Sequence, residues 1–217
     1  MKDVPAPQPL SKSERRYQEI LQRATECFDR KGYANTTLDD IAAAVGVSRE
    51  ALYYYFQNRA QILLAIIEPQ SVGLIEGIKV IVENSSLKPR EKFRAAIENH
   101  LARFDRYCLE MTVSMRNSSI EYEPEVREVM VRVWSDYEAM WTKLITEGQE
   151  NDDFRKIGDP KMLAFGILGM CNWLARWYNP RRSVTIGELI DSYSELLSGG
   201  IFSRSDENDS GADLKAE

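Results

Sequence analysis

Ser48, Arg49 and Glu50 stand side by side, with Tyr53 and Tyr54 one turn further on. An arginine can fork onto the two acceptors of guanine, and a carboxylate can accept from the amine of cytosine. Phenol hydroxyls suit phosphate oxygens, as do the bare N–H groups of a helix start such as the one at Thr36 and Thr37. Arg59 is a further cation for phosphate, and Lys12, Arg15 and Arg16 can add backbone or minor-groove contacts. These residue types bind and read; they do not break bonds. The chain shows no Ser/His/Asp or Cys/His set and no Gly-rich phosphate loop. Its single histidine, His100, argues against a zinc site and reads as a packed or exposed side chain. Cys27, Cys108 and Cys171 stand apart from one another and read as reduced thiols. No enzyme activity, metal or cofactor is expected.

Two short helices must position that set. Thr37 and Asp40 have capping-box spacing ahead of Leu38–Val45, whose Ile41, Ala42 and Val45 face inward. Gly46 allows the sharp turn, and Val47 plugs the corner. Ser48 then caps a second helix, Ser48–Phe56, held to the core by Leu52 and Phe56. Two helices joined by a short turn containing glycine make a helix-turn-helix, and the second lies in the major groove.

The rest of the chain reads as helix too. Apolar residues recur at helical spacing, and strand alternation is missing. Helices are expected over Ser13–Lys31, from a cap at Asn58 to about Glu83 with a kink or interruption at Pro69, and from Pro89 towards Arg116. Others follow over Pro124–Glu150, from Asp159 to Tyr178, and from a cap at Thr185 to about Leu197. The fold class is therefore all-α. Residues 1–11 read as a disordered arm, 12–57 as the helix-turn-helix domain (the motif itself about 37–56), 58–202 as a ligand-binding and dimerisation domain, and 203–217 as a disordered tail. The 217 residues carry net charge −6, unevenly: Ser11–Ala60 is +1 and the part from Gln61 onward is −7. A near-neutral head still binds phosphate if its cations share one face. No signal peptide opens the chain, and the apolar run Met162–Ala175 is too short to span a bilayer, so a cytoplasmic location without membrane attachment is expected.

The string TTLDDIAAAVGVSREALYYYFQNRAQIL (Thr36–Leu63), with Phe28, Lys31, Gly32 and Tyr33 before it, resembles the signature of the tetracycline-repressor (TetR) family. The resemblance is dense over the first quarter of the chain and extends to helix number and length in the rest. It implies a three-helix DNA-binding head, a long fourth helix as connector and a helical ligand-binding and dimerisation bundle. Arg59 stands where the family usually has Lys, and Glu50 where Gly or Pro is common.

The resemblance implies a homodimer whose interface is built by the last two long helices, here with Phe165, Gly166, Gly169, Trp173, Leu189 and Tyr193. A two-fold pair of recognition helices reads a palindrome, which one copy cannot. The segment GILGMCNWLARWYNP (Gly166–Pro180) is also similar to TetR-family repressors of fatty-acid and steroid-ring degradation, which respond to acyl-CoA thioesters. On that likeness Trp173 and Trp177 line an acyl tunnel, and Arg176 pairs with a CoA phosphate, helped by Arg181 and Arg182. By residue type alone the two tryptophans read first as dimer anchors and Arg176 as a rim charge, and only the likeness sets the acyl-tunnel reading level with that. Phe104, Tyr107, Met111, Met115, Trp134, Tyr137 and Trp141 suit a pocket wall, and suit a plain core as well. The expected function is a ligand-responsive repressor with three partners: an operator duplex, a second copy of itself and a small apolar or acyl-CoA effector. The alternative is a nucleoid-binding or cell-division factor with the same head and no effector.

Overall fold

A computed structural model describes residues 10–102, 124–179 and 183–201. Among them the ordered elements are helical: α1 Lys12–Lys31, α2 Leu38–Val45, α3 Arg49–Tyr53, α4 Arg59–Glu83, α5 Pro89–Ala102, α6 Pro124–Glu150, α7 Pro160–Asn172, α8 Leu174–Trp177 and α9 Ile186–Ile201. Phe104, Tyr107, Met111, Met115, Arg181, Arg182, most of the arm and the tail lie outside the described residues. The helices form two compact units. Among the described residues, one holds 10–71 together with 124–130; the other holds 72–102, 131–179 and 183–201. The division falls inside α4 and α6.

In the first unit, α1 begins one residue earlier than expected. Ser11 accepts from the Glu14 amide at 3.2 Å while the Glu14 carboxylate accepts from the Ser11 amide at 2.7 Å. That reciprocal cap satisfies two helix-start donors. Thr37 and Asp40 repeat the device at α2. Gly46 ends α2 at φ +75°, a left-handed conformation in which a Cβ is strained. Its N–H and that of Val47 close onto the Ala42 carbonyl at 2.9 and 3.0 Å.

The recognition helix is shorter than sequence spacing suggested. α3 ends at Tyr53, and the Tyr55 amide bonds back only three residues, to the Leu52 carbonyl. That tightening brings Phe56 into the interior, stacked on Tyr17 at 5.1 Å between ring centres. Ile20, Ala24, Phe28, Ile41, Val45, Leu52, Ile62, Leu63 and Ile67 fill the rest of this core. Full burial of one such side chain contributes roughly 1.5–3 kcal/mol.

α4 is continuous through Pro69, so of the expected kink or interruption the interruption is absent. Proline still removes one backbone bond of that helix. The second unit packs Ile78, Phe93, Ile97, Tyr137, Trp141, Leu144, Phe154, Leu168 and Leu174 into one core. Phe154 fills the place where Gly148 lacks a side chain, 2.1 Å from where a Cβ would stand. Lys92 is buried but satisfied, its Nζ donating to Glu147 at 2.7 and 3.0 Å and to the Val82 carbonyl at 2.9 Å. The expected helix to Tyr178 breaks at Trp173, where the Arg176 amide turns back to the Trp173 carbonyl.

Candidate functional site

The start of α3 carries the serine cap that the sequence suggested. Ser48 caps the helix, its Oγ accepting from the Ala51 amide at 3.2 Å. Ser48, Arg49 and Glu50 are exposed, whereas Leu52 and Phe56, on the inner side, are buried. Arg49 is already held in place: one Nη donates to Asp39 at 3.1 Å, the other to the Tyr53 hydroxyl at 3.1 Å. The Tyr53 bond first, and the Asp39 charge second, raise the guanidinium pKa above its ordinary value. Glu50 is pulled below the usual carboxylate range, first by its own backbone amide and then by the Ser48 hydroxyl. It is therefore ionised, a competent acceptor for cytosine and a repellent to phosphate. Tyr54 projects into solvent at 80% exposure and packs edge-on against Tyr55.

Two expected phosphate ligands already make hydrogen bonds within the protein. Thr36 is fully buried, its hydroxyl donating to the Gly32 carbonyl at 2.8 Å. Arg59 Nη1 donates to the carbonyls of Tyr33, Ala34 and Thr36 at 3.2, 3.0 and 3.2 Å, and its guanidinium lies over the Tyr33 ring. Arg59 is thus a strut from the first turn of α4 to the loop before α2. Thr37 stays at the surface, but its hydroxyl donates to Asp40. The Asp40 carboxyl sits far below its ordinary range, held first by the Lys31 ammonium and then by Thr37. A phosphate at this helix start would face Asp39 and Asp40. Arg16 bonds Glu19 at 2.8 Å. Sequence reasoning missed Asp39; its signal was a carboxylate in the first turn of the helix preceding an exposed arginine.

The expected effector residues fall into two groups that the structure does not bring together. Tyr137 and Trp141 are fully buried in the core of the second unit, with Trp134 half-buried beside them. Trp173 and Trp177, 63% and 46% exposed, and Arg176 lie on the surface, and among the described residues they line no tunnel. A groove of about 650 Å³ opens elsewhere, on the outer side of α6, lined by Glu138, Thr142, Lys143, Thr146, Glu147 and Lys161 among others. None of the expected effector residues lines it.

The expected interface residues divide as well. Met162, Phe165, Gly166 and Gly169 form one exposed stripe at helical spacing along α7, continued by the exposed Trp173 just past its end. A Cβ at either glycine would meet nothing within 4 Å. Leu189, by contrast, is buried in its own core, and Tyr193 is half-buried against that core. Leu196 of α9 is exposed, at 66%, and sequence reasoning did not single it out.

Two protein-family models match the chain. One, described as bacterial regulatory proteins of the tetR family, covers residues 20–66; the other, described as a tetracyclin repressor-like C-terminal domain, covers residues 86–201. The HTH-type transcriptional repressor KstR2 of Rhodococcus jostii (strain RHA1) is 27% identical over 211 residues, 94% of this chain and 98% of that protein. The fatty acid metabolism regulator protein of Bacillus subtilis (strain 168) is 22% identical over 193 residues, 87% and 97% of the two chains. The crystal structure of AibR in complex with isovaleryl coenzyme A and operator DNA shares the fold, with a TM-score of 0.70 at 23% identity over 83% of this chain and 97% of that one.

Proposed function

The chain belongs to the tetR family of bacterial regulatory proteins, and from that premise we propose that it is a repressor that binds a palindromic operator as a homodimer and is released by a small apolar effector, an acyl-CoA thioester. Proteins of this family are DNA-binding transcriptional regulators, not enzymes. The observation that carries the DNA reading is α3 itself: Ser48, Arg49 and Glu50 exposed at its free end, Leu52 and Phe56 anchoring its inner side. The base-reading set is Ser48, Arg49 and Glu50, with Tyr53 and Tyr54 on the backbone. In this reading residues 12–57 read DNA and 58–202 bind effector and partner. No described helix is long and apolar enough to cross a membrane, in keeping with a cytoplasmic site of action.

The homodimer rests on the apolar stripe of α7. An exposed row of Met162, Phe165 and Trp173, interrupted only by glycines, suits a closely approaching second helix. The effector class rests on relatives: one is named for fatty acid metabolism, and a neighbour in fold was crystallised with isovaleryl coenzyme A. A second copy seated on α7 would cover Trp173 and Trp177. Operator and effector, bound to one two-state protein, must weaken each other by the same factor. Fluorescence anisotropy on a duplex selected from a random pool tests this, with acyl-CoA thioesters of graded chain length as competitors. Release by at least one length is expected; release by none removes the effector class. The tightly packed core around Trp141 favours one competing reading, a nucleoid-binding factor with no effector, and the same titration separates the two.

A further inference from the structure

Arg49 and Tyr53 stand one turn apart on α3 and so share a face of it. Tyr53 holds Arg49 in two ways. Its hydroxyl accepts from Arg49 Nη2 at 3.1 Å, and the guanidinium carbon lies 5.5 Å from its ring centre. Tyr53 is itself fastened: it is half-buried, and its carbonyl accepts from Gln57 Nε2 at 3.0 Å. Tyr54, the next phenol, is exposed and packs against Tyr55 instead.

The donors leave room for DNA on both sides of the Arg49–Tyr53 bond. Each Nη of a guanidinium carries a pair of N–H donors, and a phenol oxygen that accepts still has its own O–H to give. One Nη2 hydrogen goes to Tyr53. The other, together with Nη1 once Asp39 has been exchanged for a base, can meet O6 and N7 of guanine as a fork. The Tyr53 O–H can meanwhile donate to a phosphate oxygen.

We propose that Tyr53 is a positioning residue for base reading: on DNA it keeps its bond from Arg49 and donates to one backbone phosphate, so that this phosphate sets the orientation of the Arg49 fork on guanine. The relay runs from phosphate through Tyr53 and Arg49 to the base. Asp39, on Nη1, is the partner that DNA replaces; Tyr53, on Nη2, is the one it keeps. A phenol that held only phosphate would strengthen binding to every sequence alike. The relay rests on the reading of Arg49 as a base contact and deepens it, because it makes one backbone contact carry sequence information.

Fluorescence anisotropy tests the relay with the full chain and a duplex selected from a random pool. Guanines are replaced one at a time by 7-deazaguanine, which lacks the N7 acceptor, and phosphates one at a time by methylphosphonate. One guanine is expected to cost about tenfold in affinity when replaced, one hydrogen bond of a charged fork, and to cost nothing in Arg49→Ala. In Tyr53→Phe that cost is expected to shrink to about twofold, and to shrink equally for the wild-type protein when one particular phosphate is replaced. Tyr54→Phe is expected to keep the full cost. An undiminished cost in Tyr53→Phe, or guanine and phosphate losses that multiply independently at every phosphate, overturns the relay and leaves Arg49 as a base reader. If Arg49→Ala removes the cost of no guanine, Arg49 reads none, and the base-reading assignment falls together with the relay. The phosphate arm uses the wild-type protein, so it decides even where Tyr53→Phe disturbs the fold.

Discussion

Arg49 donates to Asp39 across the helix-turn-helix at 3.1 Å, so in the free protein the cation proposed to read bases is held by a carboxylate of the preceding helix. Both side chains are more than half exposed, and the pair adds little to stability. Its effect is on binding: DNA must draw Arg49 away from Asp39 and tolerate the charge left behind. Asp39→Asn is therefore expected to tighten DNA binding several-fold and to weaken discrimination between sequences. Anisotropy on operator and scrambled duplexes measures both. Arg49→Ala is expected to lose about 1–3 kcal/mol of operator affinity with no change in melting temperature.

Arg59→Lys separates a strut from a phosphate contact. A lysine keeps the charge but cannot span the carbonyls of Tyr33, Ala34 and Thr36 while lying flat over the Tyr33 ring. The variant is expected to lose about 1–2 kcal/mol of stability, read by urea titration. The dependence of DNA affinity on salt should keep its slope, because no phosphate contact is removed. A shallower slope with unchanged stability would return Arg59 to the DNA.

His100 makes stability depend on pH. Its folded pKa of about 4 lies below the ordinary 6.5, so between these values the unfolded chain binds the proton and the folded one does not. The contribution is complete above about pH 6.5 and is lost as pH falls through about 4, amounting to about 3 kcal/mol. Urea unfolding from pH 7 to pH 4 should show that loss, and His100→Gln should flatten it. Equal slopes in the two proteins would mean that the histidine is not buried in its neutral form.

Trp173→Glu probes the α7 stripe. At 63% exposure the side chain contributes little to the fold of one chain. Sedimentation velocity at micromolar concentration is expected to show a dimer for the wild type and a monomer for the variant. Operator affinity should fall with dimerisation, since one recognition helix reads only a few base pairs. A dimeric variant would move the interface elsewhere.

Much of the head was legible because its signals are local. A threonine with an aspartate three residues later caps a helix wherever it occurs, and Gly46 is the residue that a left-handed turn favours. The bounds of α2, Leu38–Val45, follow from those two features alone. The end of α3 was not legible, because Tyr53–Phe56 continues a good helical pattern. What stops it is Phe56 turning in to stack on Tyr17, nearly forty residues earlier.

Residue type marked Thr36 and Arg59 as phosphate ligands, and it is silent on which hydrogen bonds the fold has already made. Both turned inward, because the carbonyls of the loop before α2 need donors that local helical bonding does not supply. Trp173 and Tyr137 illustrate the same limit, since an aromatic at helical spacing serves a core and a surface stripe equally well. By itself the sequence determined an all-helical chain with a helix-turn-helix and an exposed Ser48–Glu50 reading edge, because capping, turning and periodicity act over a few residues. Only the tertiary structure decided that Asp39 holds Arg49, that Arg59 braces the head and that Tyr137 is buried while Trp173 is exposed. Burial and pairing depend on neighbours distant in the chain.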